Sequence, residues 1–193
     1  MDEKQIEIRK KLKKKLDTAR YEHTLGVAYT AACLAMRYGA DIQKAEVAGL
    51  LHDCAKCIPD EEKLQKCEKH HLPISDAERK NPSLLHAKLG AYYARQKYGI
   101  TDEEILGAIT WHTTGKPEMT LLEEIVFIAD YIEPDRDRAP NLEEIRTLAF
   151  TDLKTAVGAV LAGTLAYVGK RQDALDETTV AAYEYYKRIG ELV

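Results

Sequence analysis

Four of the six histidines and two aspartates stand in stretches that otherwise read as buried helix: His23, the adjacent pair His52-Asp53, His86, His112 and Asp130. Asp130 lies in Ile125-Val126-Phe127-Ile128-Ala129-Asp130-Tyr131-Ile132. Asp53 lies in Val47-Ala48-Gly49-Leu50-Leu51-His52-Asp53-Cys54-Ala55. An ionised carboxylate in such surroundings is costly unless a cation or strong donors meet it. An arginine could satisfy one buried acid, and a lone histidine on an apolar helix is usually a core residue. Two acids and four histidines together point instead to a shared cation. Imidazole and carboxylate donors suit Fe, Mn, Co or Zn and exclude metals held by thiolate alone. A hard phosphate oxygen can complete such a shell.

The elements that must position these residues read as helix after helix. Apolar residues recur at Ile6, Ile8, Leu12 and Leu16 over 3–19, and a second apolar helix covers 21–38, with Gly39 at the left-handed stop. Asp41 starts a third helix from Ile42 to about Lys56. Pro59-Asp60-Glu61-Glu62 marks a fresh start with acids in the first turn, and Asn81-Pro82-Ser83 opens a helix ending at Tyr98-Gly99. Thr101-x-x-Glu104 and Thr120-x-x-Glu123 have capping-box spacing ahead of apolar runs. Two more helices follow at about 151–170 and 177–190. There is no sustained period-two alternation, repeat or low-complexity linker. The expectation is an all-α bundle of about eight to ten helices forming one domain over 1–193. On a continuous helix His52 and Asp53 point about 100° apart, so they share a face only obliquely.

The order His … His-Asp … His … His … Asp resembles the HD superfamily of metal-dependent phosphohydrolases. The flanking strings Tyr21-Glu22-His23-Thr24, Ala48-Gly49-Leu50-Leu51-His52-Asp53, Ile109-Thr110-Trp111-His112-Thr113-Thr114-Gly115 and Phe127 to Arg136 are similar to its YqeK-like symmetrical bis(5′-nucleosyl)-tetraphosphatases. That resemblance implies cleavage of diadenosine tetraphosphate into two ADP by water activated between two divalent metal ions, with iron as the associated metal. It implies that His23, His52, Asp53 and Asp130 hold the first ion. Asp53 would bridge to a second ion whose further ligands are His86 and His112. His52 and Asp53, with Lys56, would then be the catalytic residues. Other reactions of the same site, a nucleotidase or a cyclic-nucleotide phosphodiesterase, are the alternatives within enzymes.

Charge built up on phosphate in the transition state calls for positive side chains nearby. Lys56 lies one turn after Asp53, Arg20 one turn before His23, and Arg136 and Arg138 in the loop between Pro134 and Pro140. The expected substrate contacts are Arg20, Lys56, His86, Thr113, Tyr131 and Arg136, with Arg138 and Gly115 as further candidates. His70-His71 falls outside the ordered set and reads as surface. Cys54-Ala55-Lys56-Cys57 has no second pair downstream and reads as core or incidental.

The chain has 193 residues, 45% of them hydrophobic, enough for one sizeable core. Its 28 Lys+Arg against 32 Asp+Glu give a net charge of −4, which argues against a broad nucleic-acid surface. Only the basic stretch Lys10 to Lys15 supports a nucleotide-sensing or ribosome-associated binding module, and the plainer reading of Arg9 to Lys15 is a solvated helix face. The uncharged run from Val157 to Gly169 is too short to span a bilayer. With no signal-peptide region, a cytoplasmic location is expected. A homodimer would suit the Tyr-rich helical surface.

Overall fold

The computed structural model describes residues 3–137, 139, 141–171 and 175–190. Among them stand eleven α-helices and no strand: α1 (Glu3–Lys13), α2 (Thr18–Tyr38), α3 (Ile42–Leu51), α4 (Asp60–Lys69), α5 (Asp76–Lys80), α6 (His86–Tyr98), α7 (Glu103–Trp111), α8 (Leu121–Ile132), α9 (Leu142–Thr151), α10 (Leu153–Arg171) and α11 (Glu177–Gly190). A 3-10 turn, Pro82–Leu85, leads into α6. The all-α expectation holds, with a count slightly above eight to ten. The two unforeseen helices are α5, five residues long and too short to show a period, and α9, which follows Asn141 at φ 55°.

Most helix ends are written in local chemistry. Asp17 caps α2 by accepting from the Arg20 amide, so the first helix stops at Lys13 instead of running on to 19. Gly39 closes α2 at φ 74°, and Asp41 accepts from the amides of Gln43 and Lys44 to open α3. Thr120 and Glu123 form the expected reciprocal capping box. The one expected at Thr101 does not form. Asp102, one residue later, takes the N-cap and accepts from the Glu104 amide at 2.9 Å, while the Glu104 carboxylate is held by Lys44.

A larger difference concerns α3, which stops at Leu51 and not near Lys56. Residues 52–57 continue as tight turns, with Cys54 N–H on Leu51 O and Lys56 N–H on Asp53 O. Each bond spans three residues, which is the tighter 3-10 pattern. His52 and Asp53 are therefore freed from helical spacing, and both side chains can turn to one point.

The core is one contiguous cluster running from Ile8 to Tyr186. At its centre α8 buries every residue from Leu122 to Ala129. Helices α2 and α3 approach so closely that a Cβ on Gly49 would lie 2.7 Å from Ala28 Cα and 3.0 Å from Ala28 N. Both are backbone atoms that cannot swing aside. No described helix is long and apolar enough to cross a membrane. The basic stretch of α1 is a partly paired surface: Lys11 meets Glu7 at 2.7 Å, and Lys11 and Lys15 lie over the Tyr98 ring.

Replacing Gly49 tests this contact. Gly49→Ala should raise helix propensity by about 1 kcal/mol, yet lower stability by about 1–3 kcal/mol through overpacking. Urea unfolding reads the net sign, and an unchanged or higher midpoint would contradict the close approach.

Candidate metal centre

The helix ends converge on one point. His23 comes from α2, His52 from the C-cap of α3, Asp53 from the turn after it, His86 from the start of α6, His112 from the C-cap of α7 and Asp130 from the last turn of α8. All six expected ligands meet there. His52 is 0% exposed, His86 1%, Asp53 2% and His112 3%. Asp130 departs from expectation: its side chain is 22% exposed, because the end of α8 opens onto a cleft instead of lying in the core.

Each imidazole is oriented by its Nδ1. For His52, His86 and His112 the partner is the backbone carbonyl three residues earlier, Gly49 O at 2.6 Å, Ser83 O at 2.6 Å and Ile109 O at 2.7 Å. For His23 it is the buried Glu133 Oε1 at 3.0 Å. A carbonyl partner can only accept, which assigns the ring proton of His52, His86 and His112 to Nδ1 and leaves Nε2 as the acceptor of the neutral ring. His23 stands between the carboxylates of Glu133 and Asp130, which raise its pKa against burial. All four Nε2 atoms face inward. His86 Nε2 and His112 Nε2 stand 3.1 Å apart, and His23 Nε2 stands 3.1 Å from Asp130 Oδ1.

Acceptors so arranged repel unless something positive lies between them. Thr113 Oγ1 is 3.2 Å from His86 Nε2 and 3.0 Å from His112 Nε2, but a hydroxyl has one proton to give. Lys56 Nζ lies 3.3 Å from His86 Nε2 and can donate to it. His23 Nε2, His52 Nε2 and Asp53 Oδ1 are buried with no hydrogen-bond partner. His23, His52 and Asp130 form one triad with ligand atoms within 4.8 Å of each other, and His52, Asp53 and His112 form another. The donor set and the orphaned atoms both fit divalent cations.

Asp53 divides its carboxylate between the two groups. Its Oδ2 lies 3.4 Å from His52 Nε2 and 3.9 Å from His23 Nε2. Its Oδ1 lies 3.2 Å from His86 Nε2 and 3.6 Å from His112 Nε2. Burial pushes the Asp53 carboxyl up, and positive charge beside it, carried by a protonated His52 or by a cation, holds it well below the usual carboxylate range. Burial likewise opposes ionisation of Asp130, and positive charge beside it, on a protonated His23 or on a cation, overrides it. His86 has no such surplus, and burial pushes its imidazole down to about 4. Burial also lowers the Lys56 ammonium.

The expected phosphate contacts surround this centre. Arg20 Nη1 donates to Asp53 Oδ2 at 2.7 Å, and Arg136 Nη2 donates to Asp130 Oδ1 at 2.8 Å. Arg20, Arg136, Thr113 and Tyr131 line a cleft of about 850 Å³ together with His23, His112 and Asp130. Lys56 and His86 lie beside Asp53 but do not line that cleft. Gly115, at φ 63°, is buried against Leu161 and Ala182. Arg138 lies outside the described residues. His70 packs on Tyr92, its Nδ1 3.0 Å from the Tyr92 hydroxyl, apart from the cluster. Cys54 is buried with its thiol pushed up to about 12, while Cys57 is exposed beside Asp17.

Two contributors escaped the sequence reading. Glu133, 2% exposed, follows the apolar run of α8 just before Pro134, and only that placement of an acid hinted at burial. Val160, Gly163, Thr164 and Tyr167 of α10 form the far wall of the cleft, opposite Phe127 and Tyr131. Nothing in their order along the chain marks them.

An all-helical fold gathering histidines and a His-Asp pair at its helix ends defines an HD-domain protein. The HD domain family matches residues 20–135, and the chain belongs to that family. It is 45% identical over 172 residues to a symmetrical bis(5′-nucleosyl)-tetraphosphatase of Halalkalibacterium halodurans, covering 89% of this chain and 91% of that one. It is 42% identical over 174 residues to the protein of the same name from Bacillus subtilis, covering 90% and 92%. The Staphylococcus aureus protein of that name is 36% identical over 97% of each chain. A crystal structure from Clostridium acetobutylicum, described as a "predicted HD superfamily hydrolase involved in NAD metabolism", superposes with a TM-score of 0.91. It shares 39% identity, over 95% of this chain and 96% of that one.

The low His86 value has a consequence for metal-free protein. Between pH 6.5 and about 4 the unfolded chain protonates this imidazole and the folded chain does not. Stability should therefore fall with pH across that window, by up to about 3 kcal/mol from this group. His86→Asn should flatten that part of the profile in thermal unfolding, and an unchanged slope would contradict a buried neutral His86.

Proposed function

We propose that this chain, acting as one HD-type domain, hydrolyses diadenosine tetraphosphate symmetrically to two ADP. The observation that carries the reading is the Asp53 carboxylate. Its Oδ2 faces His52 and His23 while its Oδ1 faces His86 and His112, the arrangement a carboxylate shared by two cations would have. The likeness to tetraphosphatases over about nine-tenths of the chain supports the substrate. Divalent cations here, iron by the resemblance or Mn, Co or Zn by donor chemistry, would acidify a water and polarise phosphoryl oxygens.

The protein's own groups do the rest. His23, His52 and Asp130 surround one position, His86 and His112 the other, and Asp53 belongs to both. The water oxygen bonds to one inner phosphorus while the bond from that phosphorus to the central bridging oxygen breaks. One ADP keeps the water oxygen and the other keeps the bridge. Arg20 and Arg136 stand at the cleft beside the carboxylates and are placed to hold phosphoryl oxygens. Lys56, against His86, adds positive charge on the far side of Asp53. Between α8 and α10, Phe127, Tyr131, Val160 and Tyr167 offer an apolar wall for a nucleoside.

Chromatography of the products tests the reading. Metal-loaded protein should release ADP alone, with label from ¹⁸O-water in one of every two ADP molecules. Asp53→Ala should lower kcat on the order of 10³-fold with the helical circular dichroism retained. AMP plus ATP as products, or no cleavage beside rapid hydrolysis of a nucleoside monophosphate or a cyclic nucleotide, would replace it with another HD reaction.

A further inference from the structure

Glu133 touches more of the site than a capping residue needs to. Its Oε1 lies 3.0 Å from His23 Nδ1, and its Oε2 accepts from the Asp135 amide at 2.9 Å. Its backbone oxygen accepts from the Arg136 amide at 3.0 Å and from Arg146 Nη2 at 2.9 Å. The turn so pinned is the one that carries Arg136 to Asp130. The carboxylate packs on Gly26, where an added Cβ would lie 2.6 Å from Oε2 and push that end of the side chain aside.

We propose that Glu133 is a positioning residue that sets two parts of the site at once. Through Oε1 it keeps the His23 proton on Nδ1 and so presents the Nε2 lone pair inward. Through Oε2 it fixes the turn that aims Arg136. The proposal rests on the reading of His23 as a metal ligand. A carboxylate is required because both neighbours are donors, and a carboxylate can accept from both. A glutamine has one acceptor oxygen. The peptide N–H of Asp135 cannot move its proton, whereas an imidazole can. In a Glu133→Gln variant the new amide oxygen therefore serves Asp135, and the new NH₂ faces His23 Nδ1. The ring must then accept there and carry its proton on Nε2, where it blocks the ligand position.

Two variants test this. Glu133→Gln changes the chemistry at constant shape. Gly26→Ala keeps the carboxylate, displaces it, and favours the helix. In metal-free protein at pH 9.5, ring ¹⁵N shifts of His23 should show the Nδ1–H form in wild type and the Nε2–H form in Glu133→Gln. Calorimetric titration with Mn²⁺ should show tighter-site affinity about 10–100-fold weaker in both variants, and KM should rise as the Arg136 turn loosens. A wild-type ring tautomer in Glu133→Gln, or wild-type Mn²⁺ affinity in either variant, would overturn the role of Glu133. Should wild type itself bind no Mn²⁺, the metal reading falls, and the ring-shift comparison alone decides for or against Glu133.

Discussion

The structure turns on four ring nitrogens that have been denied protons. Every Nδ1 of His23, His52, His86 and His112 is committed to an oxygen, so each neutral ring offers its Nε2 lone pair to the site. Three of those oxygens are carbonyls three residues earlier in the chain. Such a bond is favoured where the helix ends or tightens, because the carbonyls there lack an intrahelical partner. The stops of α3 at Leu51 and α7 at Trp111, and the 3-10 turn before α6, are thus parts of the site as much as of the fold. A buried acceptor left unmet costs about 1–3 kcal/mol. His23 Nε2, His52 Nε2 and Asp53 Oδ1 are all in that condition. A cation bound there would relieve these groups together.

Those same residues were the legible part of the sequence. Imidazoles and carboxylates among Leu, Val and Ile stand out because apolar surroundings penalise them, and the penalty exists whatever the tertiary structure. Gly39, Asp41 and Thr120 were legible for a similar reason: their caps are contacts within four residues. What the chain did not disclose depends on distant partners. Thr101 had the right spacing, but Lys44, some sixty residues away in sequence, holds Glu104 and leaves the cap to Asp102. Glu133 reads as a loop acid until α2 brings His23 and Gly26 against it. The wall from Val160 to Tyr167 reads as an ordinary apolar helix face until α8 stands opposite.

The net charge of −4 misstates the electrostatics of the cleft. Asp53 and Asp130 are paired with the guanidiniums of Arg20 and Arg136, and both are directed at the ligand cluster. Two divalent cations would bring the total to zero and concentrate the added charge in one place. Arg20, Lys56 and Arg136 already lean on Asp53, His86 and Asp130. The cleft lining itself carries Asp17, Glu22, Asp130, Glu133, Asp135 and Asp137 against Arg20 and Arg136, so capture of a polyphosphate would depend on the cations more than on the protein's own charge.

The central claim is that Asp53 is shared between two cations. Anomalous diffraction from crystals of anaerobically purified protein, collected at the absorption edge of the metal found by elemental analysis, addresses it most directly. The account predicts two anomalous peaks about 3.5–4 Å apart, one by His23, His52 and Asp130, the other by His86 and His112, with an Asp53 oxygen on each. A single peak, or two with Asp53 touching only one, would contradict it.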